Sequence, residues 1–274
     1  MQIRNIMSED LVTIDKDQNI LDGLKLLRKN NISRLPVINT NQDNERELVG
    51  IVSERDIAKK LGSSKTNNLT PAKLHISSVM VKDVVAVDES MNLADVANIM
   101  LDNGIGSVPI ESNDVMVGIV SKADFVDLCT GRAYDKVKVE DVMTEDVITV
   151  STEDRLVHAR RTIIDNKIGR LLVTDEDNGL VGIITSKDII RALMDFKKKT
   201  PEKYQKTQIK NIYVKDIMST AVSGICKDAS ISEVAGLMKE TGFNGYPVTD
   251  ENNNVVGIIT QTDLLALVAD IESE

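Results

Sequence analysis

Tryptophan is absent, and aromatic residues of all kinds make up 3% of the 274-residue chain. Its core must therefore be built from Val, Ile, Leu, Met and Ala. Cysteine is limited to Cys129 and Cys226, far apart and outside any C-x-x-C pair. That excludes a disulfide ladder and suits a reducing compartment. Both have apolar sequence neighbours and read as core filler. No apolar run approaches the ~18 residues of a membrane span. The first residues lack the basic, apolar and small-residue progression of a signal peptide. A cytoplasmic protein is expected. Positive charge is in deficit: 33 Lys and Arg against 43 Asp and Glu give a net charge of −10. Long-range repulsion then disfavours nucleic acid and anionic lipid as partners. A small anionic ligand responds to local cations in a cleft and remains admissible. There is no metal-ligand cluster, no G-x-S-x-G and no P-loop lysine motif, and His75 and His158 lack partners. No enzymatic activity, metal or cofactor is expected.

What the chain does have is repetition. The block Gly182-Ile183-Ile184-Thr185-Ser186-Lys187-Asp188 recurs from Gly50 to Asp56, Gly118 to Asp124 and Gly257 to Asp263, always with the aspartate six positions after the glycine. Upstream of each copy lies Ile6-Met7, Val79-Met80, Val142-Met143 or Ile217-Met218. Four in-register copies are a repeat architecture, in units of roughly 60 residues.

Within each unit a β-prone run starts four residues after the Met: Leu11 to Ile14, Val84 to Val87, Val147 to Val150, Val222 to Ile225. A helical pattern follows. Leu93, Val96, Ala97 and Met100 fall on one helix face, as do Ile231, Val234, Ala235 and Met238. Asn19, Asn92 and Ser230 stand where N-caps belong. Then come a second strand (Leu35-Pro36-Val37, Val108-Pro109-Ile110, Leu171-Leu172-Val173, Tyr246-Pro247-Val248), a polar turn that is longest from Asn39 to Glu47, and a third strand carrying the block. A second helix begins near the hydroxyl of the block. The order β-α-β-β-α makes this an α/β (α+β) chain with a crossover and an antiparallel hairpin per unit. Three strands and two helices cannot bury both faces of so small a sheet, so repeats must pack in pairs. The shortest Asp-to-Met connector joins repeats two and three, which groups one with two and three with four. The lysines at 197, 198, 199, 203, 206 and 210 read as a solvated linker or frayed helix end, with a basic docking segment as the alternative.

These elements carry a family resemblance. The Ile/Val-Met opening, the Leu-Pro-Val strand and the G-h-h-[ST]-x-x-D block resemble the cystathionine-β-synthase (CBS) domain. Four copies, over residues 1–64, 73–132, 136–200 and 210–274, would pair into two Bateman modules. That architecture is similar to the γ subunit of AMP-activated protein kinase and to stand-alone microbial four-repeat proteins. The resemblance implies regulatory binding of adenosyl ligands, AMP, ADP, ATP or S-adenosylmethionine and its relatives, in clefts between paired repeats.

The block supports two readings. Ser53/Asp56, Ser121/Asp124, Thr185/Asp188 and Thr260/Asp263 have the spacing of a capping box. A carboxylate at a strand-to-helix junction can also accept both hydroxyls of a ribose, beside a helix start that suits phosphate. The readings coexist, because a carboxylate has about four acceptor positions. By the resemblance, Asp56, Asp124, Asp188 and Asp263 hold ribose. The adenine slot falls on Thr13, Ala86, Thr149 and Gly224 of the first strand, with Ile32, Ile105, Ile168 and Phe243 and with Pro36, Pro109 and Pro247. Repeat three has Leu172 in place of the proline, and the bland reading of all these positions is core.

Phosphates need cations. Arg34 and Arg170 precede the proline position, where Ser107 and Gly245 stand in the other repeats; Arg55 and Lys187 precede the aspartate, where Ala123 and Thr262 stand. Lys122 lies close by in repeat two. With the hydroxyls of Ser53, Ser121, Thr185 and Thr260, these make the expected phosphate contacts, richest in repeats one and three. Repeat four, with Asn244, Gly245, Gln261 and Thr262, reads as the weakest site. Arg160, next to His158 and Arg161, occupies the position filled by Leu24, Ala97 and Ala235. It reads as a snorkelling surface residue, with a buried or cleft-facing cation as the alternative. The expected function is a non-enzymatic adenine-nucleotide sensor acting on an unidentified regulated protein, with a homodimer also compatible. The alternative ligand is S-adenosylmethionine or methylthioadenosine, for which Arg34 and Arg170 would be idle.

Overall fold

The structure, a computed structural model, describes residues 1–40, 46–62, 71–113 and 115–273. Most of the expected Asn39–Glu47 turn lies outside the described residues. Repeat one comprises β1 (Ile14–Asp15), α1 (Ile20–Lys29), β2 (Arg34–Thr40), β3 (Arg46–Ser53) and α2 (Glu54–Leu61). Repeat two comprises β4 (Val87–Asp88), α3 (Leu93–Asp102), β5 (Ser107–Ser112), β6 (Val115–Ser121) and α4 (Lys122–Leu128). Repeat three comprises β7 (Thr149–Ser151), α5 (Leu156–Asp165), β8 (Arg170–Thr174), β9 (Leu180–Thr185) and α6 (Ser186–Lys199), followed by α7 (Glu202–Gln208). Repeat four comprises β10 (Ile225–Cys226), α8 (Ile231–Thr241), β11 (Gly245–Thr249), β12 (Val255–Thr260) and α9 (Gln261–Ser273). Each repeat has one three-stranded sheet whose first strand is parallel to the second and whose second and third are antiparallel.

The helical stripes are core: Leu93, Val96, Ala97, Met100, Ile231, Val234 and Ala235 are fully buried, and Met238 nearly so. Asn19 and Ser230 accept from the backbone N–H of Asp22 and Glu233. The first strands are shorter than the β-prone runs predict. Only their ends pair, because the residues before them are crossing between sheets. The segment preceding each first strand, here called the leader, pairs with the third strand of another repeat. Ser8 bridges to Ile119, Val81 to Ile51, Thr144 to Ile258 and Ser219 to Ile183. Repeats one and two thus exchange leaders, and so do three and four.

This exchange explains both ends of the repeated signature. A Cβ on Gly50 would sit 2.8 Å from Met80 Sδ, on Gly118 2.7 Å from Met7 Sδ, on Gly182 2.9 Å from Met218 Sδ and on Gly257 2.6 Å from Met143 Sδ. The glycine that opens each block and the methionine that opens each repeat meet across the pair. A bulge just before each glycine, with Val49, Val117, Val181 and Val256 as the extra residues, re-aims the strand there.

The helices add a second pairing. Buried side chains of repeats one and three form one core, with α2 packed on α6 and α5; those of two and four form another, with α9 packed on α3 and α4. Strand contacts therefore join 1–2 and 3–4, and helix contacts join 1–3 and 2–4.

Three expectations change. Cys226 is exposed, because it stands on an edge strand facing away from the core side held by Ile225; Cys129 is buried. The lysine-rich connector is helical through Lys199 and again in α7, which has no buried residue. Arg160 neither snorkels nor faces a ligand cleft. Its Nε donates to Ala58 O at 3.1 Å and its Nη2 to Lys59 O at 2.8 Å, so it caps the C-terminus of α2 across the 1–3 contact.

Candidate functional site

Each strand-to-helix junction holds the carboxylate half of a capping box, and at Ser53 and Thr185 the hydroxyl also accepts from the aspartate N–H. The backbone N–H and hydroxyl of Ser53, Ser121, Thr185 and Thr260 donate to Oδ2 of Asp56, Asp124, Asp188 and Asp263, respectively. The capping reading thus accounts for one carboxylate oxygen in every repeat. The other oxygen distinguishes them. Asp188 Oδ1 accepts from Arg191 Nη2 at 2.8 Å, and Asp263 Oδ1 accepts from Thr144 Oγ1, on the exchanged leader, at 2.9 Å. Oδ1 of Asp56 and of Asp124 has no hydrogen-bond partner among the described residues.

The two pairings bring the four junctions around one centre. Lys187 Nζ lies 3.8 Å from Glu54 Oε1 (repeats three and one), and Lys122 Nζ donates to Thr262 Oγ1 at 2.7 Å (two and four). Arg55 Nη1 donates to Lys167 O (one and three), and Arg170 Nη1 to Gly245 O at 2.9 Å (three and four). The Arg34 guanidinium lies over Gly106 of repeat two, where a Cβ would collide with it. Glycine at 106 and 245 makes room for an arginine from the paired repeat.

Electrostatics follow from gathering these charges away from water. Burial pushes the Glu54 carboxyl up to about 7 against the pull of Lys187 and Arg34. Burial brings Lys122 down to about 8, helped by Arg34 and Arg55 and opposed by Asp263. The same cause brings Arg170 to about 10 and lowers Arg34, with Arg55 adding to the second. Asp124 is raised, again by burial. Half-buried cations beside carboxylate oxygens without partners among the described residues suit a ligand with both hydroxyls and anionic groups.

The expected adenine positions are less uniform. Pro36, Pro109 and Pro247 are buried in their strands; Thr13, Ile32, Ala86, Ile105, Thr149, Ile168 and Gly224 are half-buried. Thr149 lines a surface groove with Asn178 and Val255. Phe243 is 58% exposed, its ring tilted on Tyr246 at 5.9 Å, so no closed slot forms over it. Sequence reasoning missed Arg191, Thr144, Glu54 and the buried hydroxyls of Ser107 and Ser186, which have no hydrogen-bond partner among the described residues. Glu54 and Ser186 fall at a variable position of the block, and the others lie outside it. Arg191 alone had a local signal, three residues after Asp188 on one helix face.

Comparison with known proteins gives the same organisation. The chain is 30% identical over 275 residues to an uncharacterized protein of Methanocaldococcus jannaschii, covering 98% of this chain and 62% of that relative. A second M. jannaschii protein is 26% identical over 274 residues, with 96% of both chains covered. A crystal structure from that organism, described as a proposed archaeal homologue of the γ subunit of AMP-activated protein kinase, superposes with TM-score 0.84 at 25% identity. It covers 98% of this chain and all of that one. A Pyrococcus horikoshii protein shares the fold at TM-score 0.66 and 22% identity. The CBS-domain family model matches residues 3–63, 76–131, 139–195 and 214–270. The chain therefore belongs to the CBS-domain family, as four successive copies of that domain.

Proposed function

We propose that this CBS-domain regulatory protein binds adenine nucleotides (AMP, ADP or ATP), acts in the cytoplasm without catalysing a reaction, and reports ligand state to a partner protein. Ribose is held by junction aspartates, and phosphates by Arg34, Arg55, Lys122, Arg170 and Lys187 with the block hydroxyls. Adenine lies against the half-buried positions of the first and second strands. The γ-subunit likeness of the M. jannaschii neighbour supports this reading. The observation that carries it is the convergence of four aspartate-bearing helix starts and five cations on one centre, through the contacts Lys187–Glu54, Lys122–Thr262 and Arg170–Gly245. An uncharged adenosyl ligand would give those cations no counter-charge.

Calorimetric titration of the full chain with AMP, ADP, ATP and S-adenosylmethionine tests the reading. Nucleotides are expected to bind, and Arg34→Ala to weaken them by about one to two orders of magnitude, the effect of losing a charge-assisted contact of ~1.5–3 kcal/mol. Binding of S-adenosylmethionine alone, indifferent to Arg34→Ala, would replace nucleotide by a sulfonium or thioether ligand.

A further inference from the structure

Although the four repeats share their signature, their junctions are not in the same state. In repeats three and four the chain itself satisfies the groups a nucleoside would need. Asp188 is 8% exposed, and its remaining oxygen is held by Arg191, whose side chain is 68% exposed. The remaining oxygen of Asp263 is held by Thr144. The Arg170 guanidinium already donates to Gly245 O.

In repeats one and two the matching groups are unmet. Asp56 and Asp124 each keep one oxygen without a hydrogen bond among the described residues. The leader residue opposite Asp56 is Val81, which has no hydroxyl to offer where Thr144 does. The Arg34 guanidinium donates no hydrogen bond and forms no ion pair among the described residues; Asp56 and Glu54 favour its charge only from nearby. Ser107 follows Gly106, against which that guanidinium lies. Ser107 is 5% exposed, and its buried hydroxyl has no hydrogen-bond partner among the described residues. Strand alternation turns Ser107 away from the core side occupied by Val108 and Ile110. Buried polar atoms without partners are rare and mark a missing ligand or water. The other such hydroxyl, Ser186, occupies the first position of α6, equivalent to Glu54, Lys122 and Gln261, and so belongs to the centre all four repeats share.

Resting on the nucleotide reading above, we infer that the two modules divide the work. The module of repeats one and two takes the nucleotide, on Asp56, Asp124, Arg34 and Ser107. The module of repeats three and four is closed by Arg191 on Asp188 and Thr144 on Asp263, and serves as the frame against which the first module is read.

Native mass spectrometry and calorimetry on the full chain, with ATP and AMP as probes, test this. The wild type is expected to take no more than two nucleotides per chain. Asp56→Asn and Asp124→Asn should each weaken binding at least tenfold. Arg191→Ala, an exposed change that spares the core, should add one further nucleotide by freeing Asp188. Three or four nucleotides on the wild type, full binding in Asp56→Asn and Asp124→Asn, or an unchanged count in Arg191→Ala would overturn the division of labour while nucleotide binding stands. Failure of both probes to bind the wild type would overturn nucleotide binding itself.

Discussion

Gly50→Ala tests the leader exchange directly, because the added methyl group has nowhere to go. A Cβ at Gly50 stands 2.8 Å from both Met80 Sδ and Val81 O. A thioether can swing aside. The carbonyl cannot, being fixed by Ile51 N donating to Val81 O at 3.0 Å and Val81 N donating to Ile51 O at 2.9 Å. Relief requires the leader of repeat two to back away, which stretches both bonds. At ~1 kcal/mol net for each bond, and with overpacking costs of typically 1–3 kcal/mol, the change should destabilise by about 2–3 kcal/mol. The reduced entropy of the unfolded chain returns ~0.4–1 kcal/mol, leaving about 2. The sister positions should grade by carbonyl distance: Gly182, with Ser219 O at 2.9 Å, close to Gly50; Gly257, with Thr144 O at 3.2 Å, and Gly118, with Ser8 O at 3.3 Å, milder. Gly236 is the internal control. It lies inside α8 with nothing within 4 Å of its would-be Cβ, so Gly236→Ala should stabilise by ~0.5–1 kcal/mol through helix propensity. Urea unfolding followed by circular dichroism reads all five midpoints. A Gly50→Ala midpoint at or above wild type, or equal effects at all four block glycines, would refute the steric argument.

Two further predictions concern the helix contacts and the shared centre. Arg160→Ala removes two hydrogen bonds and a cation from the C-terminal end of α2, and should cost about 1–2 kcal/mol in the same unfolding assay; Arg160→Lys, lacking the planar fork, should recover less than half. Nucleotide affinity should fall as pH rises from about 7 to 9, because bound phosphate favours neutral Glu54 (about 7) and charged Lys122 (about 8), so that binding takes up protons in that window. The second ionisation of phosphate, near ~6, is complete below it. Calorimetry at pH 8 in buffers of different ionisation heat would show the uptake, and a buffer-independent heat would contradict it. Without ligand the two groups act oppositely on stability. The raised carboxyl of Glu54 gives a contribution present below its unfolded value and lost as pH rises through about 7, whereas the cost of charged Lys122 is relieved above about 8.

The fold was legible because its signals are periodic and multiplied by four. Apolar stripes such as Leu93–Met100 and caps such as Ser230 follow from local spacing, and any one repeat corroborates the others. What local spacing does not encode is which surface meets which. Connector length brought out the 1–2 and 3–4 grouping, but not the helix contacts that join 1–3 and 2–4 through α2, α6, α4 and α9. The Met and the Gly were both visible as repeated residues, yet their contact is in trans, between positions about 30 residues apart for Met80 and Gly50 and about 110 apart for Met7 and Gly118. At the junctions the aspartates were equivalent by pattern and proved unequal in place. The inequality comes from Arg191 and Thr144, which belong to no motif, and in the case of Thr144 from a leader supplied by the neighbouring repeat.

That dual pairing bears on how ligand state can travel. A ligand shifts an equilibrium only by its differential affinity for two arrangements, so the site must touch a joint that can be set in two ways. The strand joints are poor candidates, since each is pinned by a methionine on a glycine and a carbonyl held at both ends. The helix joints differ. At the centre the 1–3 joint is crossed by the Lys187–Glu54 pair at 3.8 Å, with a carboxyl whose charge is in balance near neutrality, and by Arg55 donating to Lys167 O, and the 2–4 joint by a hydrogen bond from Lys122 to Thr262. On the nucleotide reading proposed above, phosphate arriving beside Arg34, Arg55 and Lys122 would compete for the same cations. It would draw Lys122 from Thr262 and disfavour the charge on Glu54 that holds Lys187. The modules would then move as rigid halves about α2–α6 and α4–α9, and a partner that grips both halves would sense the change.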